Sequence, residues 1–448
     1  MKKHILSITA LTLSVSVLLF TSCAGKQNMG DTSETTSGTA KTLSYEEAEQ
    51  IFEKIMTPTG EGAFVLEDNT AYAYEYCTDK YALIGKNNLI YIIELDDPDN
   101  KELICSDITC SHTDIRCPAF SAYPFCVVQP EGSDELIIYY FFTFDLFEDI
   151  GGYHLEDVQN PHMLFEYNIR TGERRTVTLI GYNGEYKVFP GDSSTYYDGT
   201  LYFTGSDWDD VDIHYFVSSL NVVTGEVKKL DLGIDHTFVG IYENYVCIAA
   251  TDGSIWRCGL DLSDPELVAE IGSALKKPWE YMNRVSMNGS RVFFCTVEGW
   301  DGSSPNDEEE DFYSYTPKTL HYLDLAAPDT GVHDIADDVY NFSGTEKYVY
   351  FTKYDPQEYG YYGEIEISSL TGGTLYRYDI ERDETTVVFE DCGGDIEYIQ
   401  FVNDEKIIFN GRYYGVFETG FHYTGRGYGL FMYEFDNGAC ILIDEHYK

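Results

Sequence analysis

Leu164-Phe165-Glu166-Tyr167-Asn168, followed by Thr171-Gly172-Glu173, is the stretch that decides the fold. Its residues alternate with period two, end on an Asn and run into a glycine turn, the pattern of a strand leading into a hairpin. The order returns along the chain: Leu220-Asn221 before Thr224-Gly225-Glu226, Leu320-His321-Tyr322-Leu323-Asp324, Leu375-Tyr376-Arg377-Tyr378-Asp379, and Phe431 to Asp436. Weaker copies lie at Leu89 to Asp96 and Ile255 to Asp261. A second recurring unit is an apolar-aromatic strand: Leu201-Tyr202-Phe203, Val292-Phe293-Phe294, Val349-Tyr350-Phe351 and Ile407-Ile408-Phe409. Together they make about seven units at a spacing of roughly 40–70 residues, the period of four-stranded propeller blades.

From about residue 62 onward the period stays at two, punctuated by Asp198-Gly199, Asp252-Gly253, Asn288-Gly289 and Asn437-Gly438. No long amphipathic pattern interrupts it, which excludes a βαβ architecture and leaves sandwich, barrel or propeller. A blade cannot bury both of its faces alone, so stacking around an axis explains the repetition. The expected fold is all-β: a single β-propeller of about seven four-stranded blades, with six or eight as the alternatives. The pattern of strand, Tyr-x-Asp, Thr-Gly-Glu, strand resembles the outer hairpin of TolB-like and quinoprotein-like propellers.

The N-terminus sets the compartment. Lys2 and Lys3 precede an apolar run from Ile5 to Phe20, too short and wrongly flanked for a transmembrane helix. The run ends in Leu19-Phe20-Thr21-Ser22-Cys23, which looks like a lipobox, with Phe20 where Leu is commoner. The expected organisation is a lipoprotein signal peptide over 1–22, a flexible tether over 23–41 with lipidated Cys23, a short helix within 42–59, and the propeller over 60–448. Residues 24–41 are rich in Gly, Ser and Thr and cannot bury enough surface to fold. In the helix, Ser44 and Glu47 have capping-box spacing, Ala48, Ile51, Phe52 and Ile55 share a face, and Pro58 and Gly60 end it. The expected location is the extracytoplasmic face of the cell membrane.

Charge narrows the partners. Lys and Arg number 29 against 77 Asp and Glu, a net charge of −48. Such a field repels phosphate backbones and excludes nucleic acid. It accommodates cations, cationic peptides and neutral glycans. Tyr numbers 39 and Trp only 4, a composition that suits strands first and a sugar-stacking surface second.

Four of the 11 cysteines cluster: Cys105, Cys110, Cys117 and Cys126. With His112 they give C-x4-C-x-H-x4-C and a further Cys nine residues on. Outside the membrane, disulfides are the default for neighbouring cysteines. Three thiolates and one imidazole at Cys105, Cys110, His112 and Cys117 instead complete a tetrahedral Zn²⁺ site, and a closed four-ligand shell is structural. The residues leave both readings open. Cys105 to Ala119 resembles an element of a family of lipoprotein propellers of Gram-positive anaerobes, C-x-x-P-x-C-x-H-x4-C-x-A. Cys105, Cys110, His112, Cys117 and Ala119 match it, and Ile108 stands where Pro is usual. That resemblance implies a surface propeller and supplies no substrate.

A two-residue turn at Asp252-Gly253 would set Cys247 and Cys258 directly opposite, within disulfide reach but as a hydrogen-bonded pair, the less favourable geometry for a bridge. Cys77, Cys295, Cys392 and Cys440 read as small core hydrophobes. The sequence holds no G-x-S-x-G, H-E-x-x-H, P-loop or post-strand G-x-G-x-x-G. No catalytic residue is assigned. The expected function is a non-enzymatic, lipid-anchored module binding a glycan, peptide or protein ligand. The alternatives are a glycan- or peptide-active enzyme using carboxylates at the propeller mouth and a scaffold subunit of an envelope assembly.

Overall fold

The structure, a computed structural model, describes residues 75–86, 89–112, 117–120, 123–130, 135–143, 162–180, 194–208, 213–250, 252–271, 285–296, 318–361, 364–390, 395–414 and 426–447. All of them lie in the unit Ala40–Lys448. The signal segment, Cys23, the tether, the helix over 44–56, Cys392 and the acidic loop over 299–313 lie outside the described residues. So does most of the aromatic segment 140–162, but its ends are strand: Ile137–Thr143 runs through residue 140, and His162 starts His162–Asn168.

The described residues are all-β. They form six antiparallel sheets, five of four strands and one of eight. In chain order the four-stranded sheets span 75–103, 123–180, 194–230, 236–270 and 398–447, and each is an up-and-down meander. The eight-stranded sheet spans 285–389. In it, one strand, Val332–Gly344, serves two neighbours: residues 332–339 pair with Lys318–Asp324, and residues 339–344 pair with Tyr348–Tyr361. The chain changes direction at Asp338, whose φ is 60°. A further strand, Glu364–Thr371, pairs with the end of Tyr348–Tyr361.

The deciding repeat is the third strand of a meander each time it occurs, and in three copies its turn shares one chemistry. Asn168 Oδ1 accepts the N–H groups of Arg170 and Thr171, both at 3.0 Å. Asn221 Oδ1 accepts those of Val223 and Thr224, and Asp379 Oδ1 those of Glu381 and Arg382. Four residues on, Gly172, Gly225 and Asp383 take φ of 73°, 72° and 54° and donate their N–H to the carbonyl of that Asn or Asp. A left-handed backbone selects Gly first and Asp or Asn next.

The residue after the Asn or Asp is an apolar plug. The N–H groups of Ile169, Val222 and Ile380 bond Leu136 O, Gly199 O and Lys347 O at the start of their sheet's second strand. Their side chains enter the seam with the preceding sheet, and Leu95, Leu325 and Phe435 repeat the arrangement.

Second strands are buried on both faces, so they read as continuous apolar runs. Leu201 and Phe203 face the preceding sheet and Tyr202 the following one. Val292 and Phe294 divide from Phe293 in the same way, as do Ile407 and Phe409 from Ile408. Among the described residues there are seven hydrophobic clusters, each a seam between two four-strand units. One of them joins the ends of the chain: Ile408, Leu430, Met432 and Ile443 pack on Ala82, Ile84 and Ile93. At that seam Lys101 Nζ sits 2.7 Å from Asp444 Oδ1, and Lys86 Nζ donates to Glu445 O at 2.8 Å. The first strands touch in turn from Tyr123–Val128 through Ser194–Tyr197, His236–Tyr242, Val285–Asn288, Val332–Gly344 and Tyr398–Val402 to Glu75–Cys77. Sheets that pack face to face in chain order, with first strands inside and the last sheet against the first, make a β-propeller.

The expected register at Cys247 and Cys258 is corrected by one residue. Cys247 pairs with Arg257, and Val246 pairs with Cys258. The loop has three residues, 251–253, with Gly253 at φ 84° donating to Ala250 O. A one-residue slip reverses the faces. Cys247 enters the seam with the following sheet and Cys258 the seam with the preceding one, so they form neither a disulfide nor a packed pair.

Candidate functional site

The crossover between the first and second sheets carries the densest chemistry. Its ligand atoms come from Cys105, Cys110, His112 and Cys117, and all lie within 4.8 Å of one another. Local turns bring them together. Asp107 Oδ1 accepts the Thr109 N–H at 2.8 Å and its hydroxyl at 2.7 Å, and the Cys110 N–H bonds Asp107 O at 3.1 Å. This folds Cys110 back beside Cys105. His112 sits at φ 55°, a left-handed conformation in which His is enriched, and its Nδ1 lies 3.2 Å from Cys117 Sγ. The chain then returns to the first sheet, where Ile90 N–H bonds Ala119 O and Phe120 bridges Leu89.

The donor set fits a metal. Tetrahedral zinc–thiolate geometry, with Zn–S near 2.3 Å, needs sulfurs about 3.8 Å apart, and the 4.8 Å limit that contains all four donors accommodates it. Two sulfurs accept a backbone N–H from two residues on: Ala119 N to Cys117 Sγ at 3.4 Å, and Asp107 N to Cys105 Sγ. Such bonds favour thiolates. Burial pushes the Cys117 thiol well above the ordinary range, with Cys110 and Cys105 adding to the effect, and burial also raises Cys105. A divalent cation bound there would supply countercharge to these partly buried donors. The nine described cysteines are all free thiols in the structure. Cys126 is set apart from the group, in the seam between the second and third sheets. Cys77 and Cys295 are buried as expected, and Cys440 is half-buried.

A second feature lies at the inner wall. A cleft of about 330 Å³ opens between the first strands of three successive sheets, lined by Thr195, Tyr197, Ile241, Glu243 and Met287 with Gly289 at its edge. No local motif announces it, because its residues come from hairpins far apart in the chain. The signals at Asp198-Gly199 and Asn288-Gly289 mark two of these hairpins without showing that they meet.

Sequence reading also missed a polar relay, since its ten His residues are scattered. Cross-strand register places His321 opposite Phe294 and Asp334. Its Nδ1 lies 2.8 Å from Asp334 Oδ1 and its Nε2 2.6 Å from Thr296 Oγ1, with the ring stacked on Phe294. The Asp334 side chain is 81% exposed.

No family model matches the sequence, and no curated protein matches it. Solved structures resemble its fold at low identity. The acylaminoacyl peptidase of Pyrococcus horikoshii is 12% identical, with a TM-score of 0.45 over 83% of this chain and 53% of that one. The propeller domain of the Trilobed protease from Pyrococcus furiosus is 10% identical, with a TM-score of 0.43 over 84% and 99%. TolB from Acinetobacter baumannii is 11% identical, with a TM-score of 0.32 over 64% and 65%. The chain spans 40% of the length of the tricorn protease, which it also resembles. At these values the comparisons assign neither ligand nor activity. Among the described residues no helix is long and apolar enough to cross a membrane.

Proposed function

We propose that the chain is an extracytoplasmic lipoprotein: signal peptide 1–22, acylated Cys23, tether 23–41, helix within 42–59, and over 60–448 a propeller of seven four-stranded blades. The seven seams and the double use of Val332–Gly344 support the blade number. The propeller is a binding module for a glycan, peptide or protein ligand rather than an enzyme. The observation that carries this reading is the cleft at the inner wall, whose lining offers aromatic, aliphatic and thioether contact surface. Cys105, Cys110, His112 and Cys117 hold a structural Zn²⁺, because four protein donors leave no open position for a substrate.

The test is a thermal-shift screen of the mature domain against saccharides, peptides and amines, run beside a Met287→Trp variant that fills the cleft. Ligands that raise the melting temperature of the parent and not of the variant support the reading. Turnover of those ligands in the same mixtures contradicts it. One observation favours an enzyme, by a route other than carboxylates at the propeller mouth: Asp334, His321 and Thr296 are bonded in the order of an orienting acid, a base and a nucleophile. Labelling of Thr296 by a fluorophosphonate probe, lost in His321→Ala, would establish it.

A further inference from the structure

We infer that the inner-wall cleft binds an organic ammonium group, an inference that rests on the binding-module reading and names its ligand class. The formal charge in the lining is negative: Glu243 projects from a tight hairpin at φ 51°, where Tyr242 OH donates to its Oε1 at 3.2 Å. A second carboxylate stands at the rim, since a Cβ added to Gly289 would lie 3.6 Å from Glu346 Oε1. Arg291, on the same hairpin as Gly289, is engaged by Asp324 at 3.7 Å and by the Glu346 carbonyl at 2.7 Å. The remaining contacts suit the apolar part of an alkylammonium. Tyr197 is 39% exposed with its hydroxyl held 3.4 Å from Asn244 Oδ1, and Ile241 and the Met287 thioether line the wall.

Chemistry and field agree on the class. A cation beside an aromatic ring and a carboxylate gains from both, and a soft thioether accommodates methyl groups at little cost. A net charge of −48 raises the local concentration of cations and rejects anions. The volume of about 330 Å³ admits a lysine side chain or a small amine and no folded element. A free amine and the lysyl residue of a peptide share this headgroup, and the experiment separates them.

The mature chain is titrated by calorimetry with choline, with Nα-acetyl-lysine amide, and with 3,3-dimethylbutanol, the neutral isostere of choline. The expected result is saturable binding of at least one ammonium probe. Glu243→Gln should weaken it by about tenfold, Tyr197→Ala by roughly threefold to tenfold, and added salt should weaken it further. Preference for choline assigns free amines, and preference for the lysine derivative assigns peptides. Equal affinity for the neutral isostere, or indifference to Glu243→Gln, overturns the ammonium class while leaving a binding cleft. No saturable binding by any probe overturns this inference, and the cleft-filling screen above then decides the binding-module reading on its own.

Discussion

Two seams of the ring are held in different ways. Between the first and second sheets, residues within a single crossover supply three sulfurs and an imidazole, and Cys105, Cys117, Ala119 and Phe120 also enter the apolar core there. Between the last sheet and the first, the partners are hundreds of residues apart, and the seam is aliphatic packing plus Lys101 and Lys86 on Asp444 and its neighbour. No strand is exchanged across this closure among the described residues, because each terminal sheet is built from consecutive strands. One seam gathers soft donors within a short span of chain; the other relies on shape and a partly buried ion pair. The contrast teaches that a ring can be fastened locally at one joint while its closure depends on side chains.

The largest effect is expected at the metal-type seam. Native mass spectrometry should find one zinc per chain, and Cys117→Ser should lose it and cost more than about 3 kcal/mol by denaturant unfolding. Next comes the closure. Ile408→Ala removes a fully buried side chain and should cost about 2–4 kcal/mol, with no change in zinc content. Lys101→Ala leaves Asp444 with Lys86 at 3.8 Å and should cost about 1 kcal/mol, less at high salt. If Cys117→Ser and Ile408→Ala both release the zinc, the two seams are not independent and the comparison fails.

The repeat was legible because its chemistry is local. Asn168, Gly172 and Ile169 are neighbours in sequence, and Asx bonding with a left-handed residue needs nothing beyond them. The four metal-type donors were legible for the same reason. What escaped was register and distance. Asp252-Gly253 reads as a two-residue turn, but Gly253 closes a three-residue loop and turns Cys258 away from Cys247. The corner at Asp338 carries no glycine, so one strand serving two neighbours had no signal. The cleft and the relay through His321 depend on strands that meet only after folding.

A smaller effect belongs to the seam between the third and fourth sheets. His236 is fully buried, its Nδ1 2.7 Å from Ile234 O and its Nε2 3.0 Å from Leu230 O and 3.2 Å from Val217 N. Burial lowers its pKa from 6.5. The unfolded chain then takes up a proton that the folded chain refuses, so stability is full above pH 6.5 and falls as pH drops below it. Melting between pH 7 and 5 should show this slope, reduced in His236→Gln.

The smallest effect is at Cys247 and Cys258. Burial pushes both thiols up to about 12, so neither should react with a thiol reagent in the native state, and mild oxidation should leave the mass of the peptides that carry them unchanged.

Carbodiimide cross-linking tests the closure most directly. The reagent joins an amine to a carboxylate only where the two touch. The monomer should yield a peptide in which Lys101 or Lys86 is bonded to Asp444. A monomer whose cross-links run only between sheets adjacent in the chain, never from the first to the last, would contradict a closed ring.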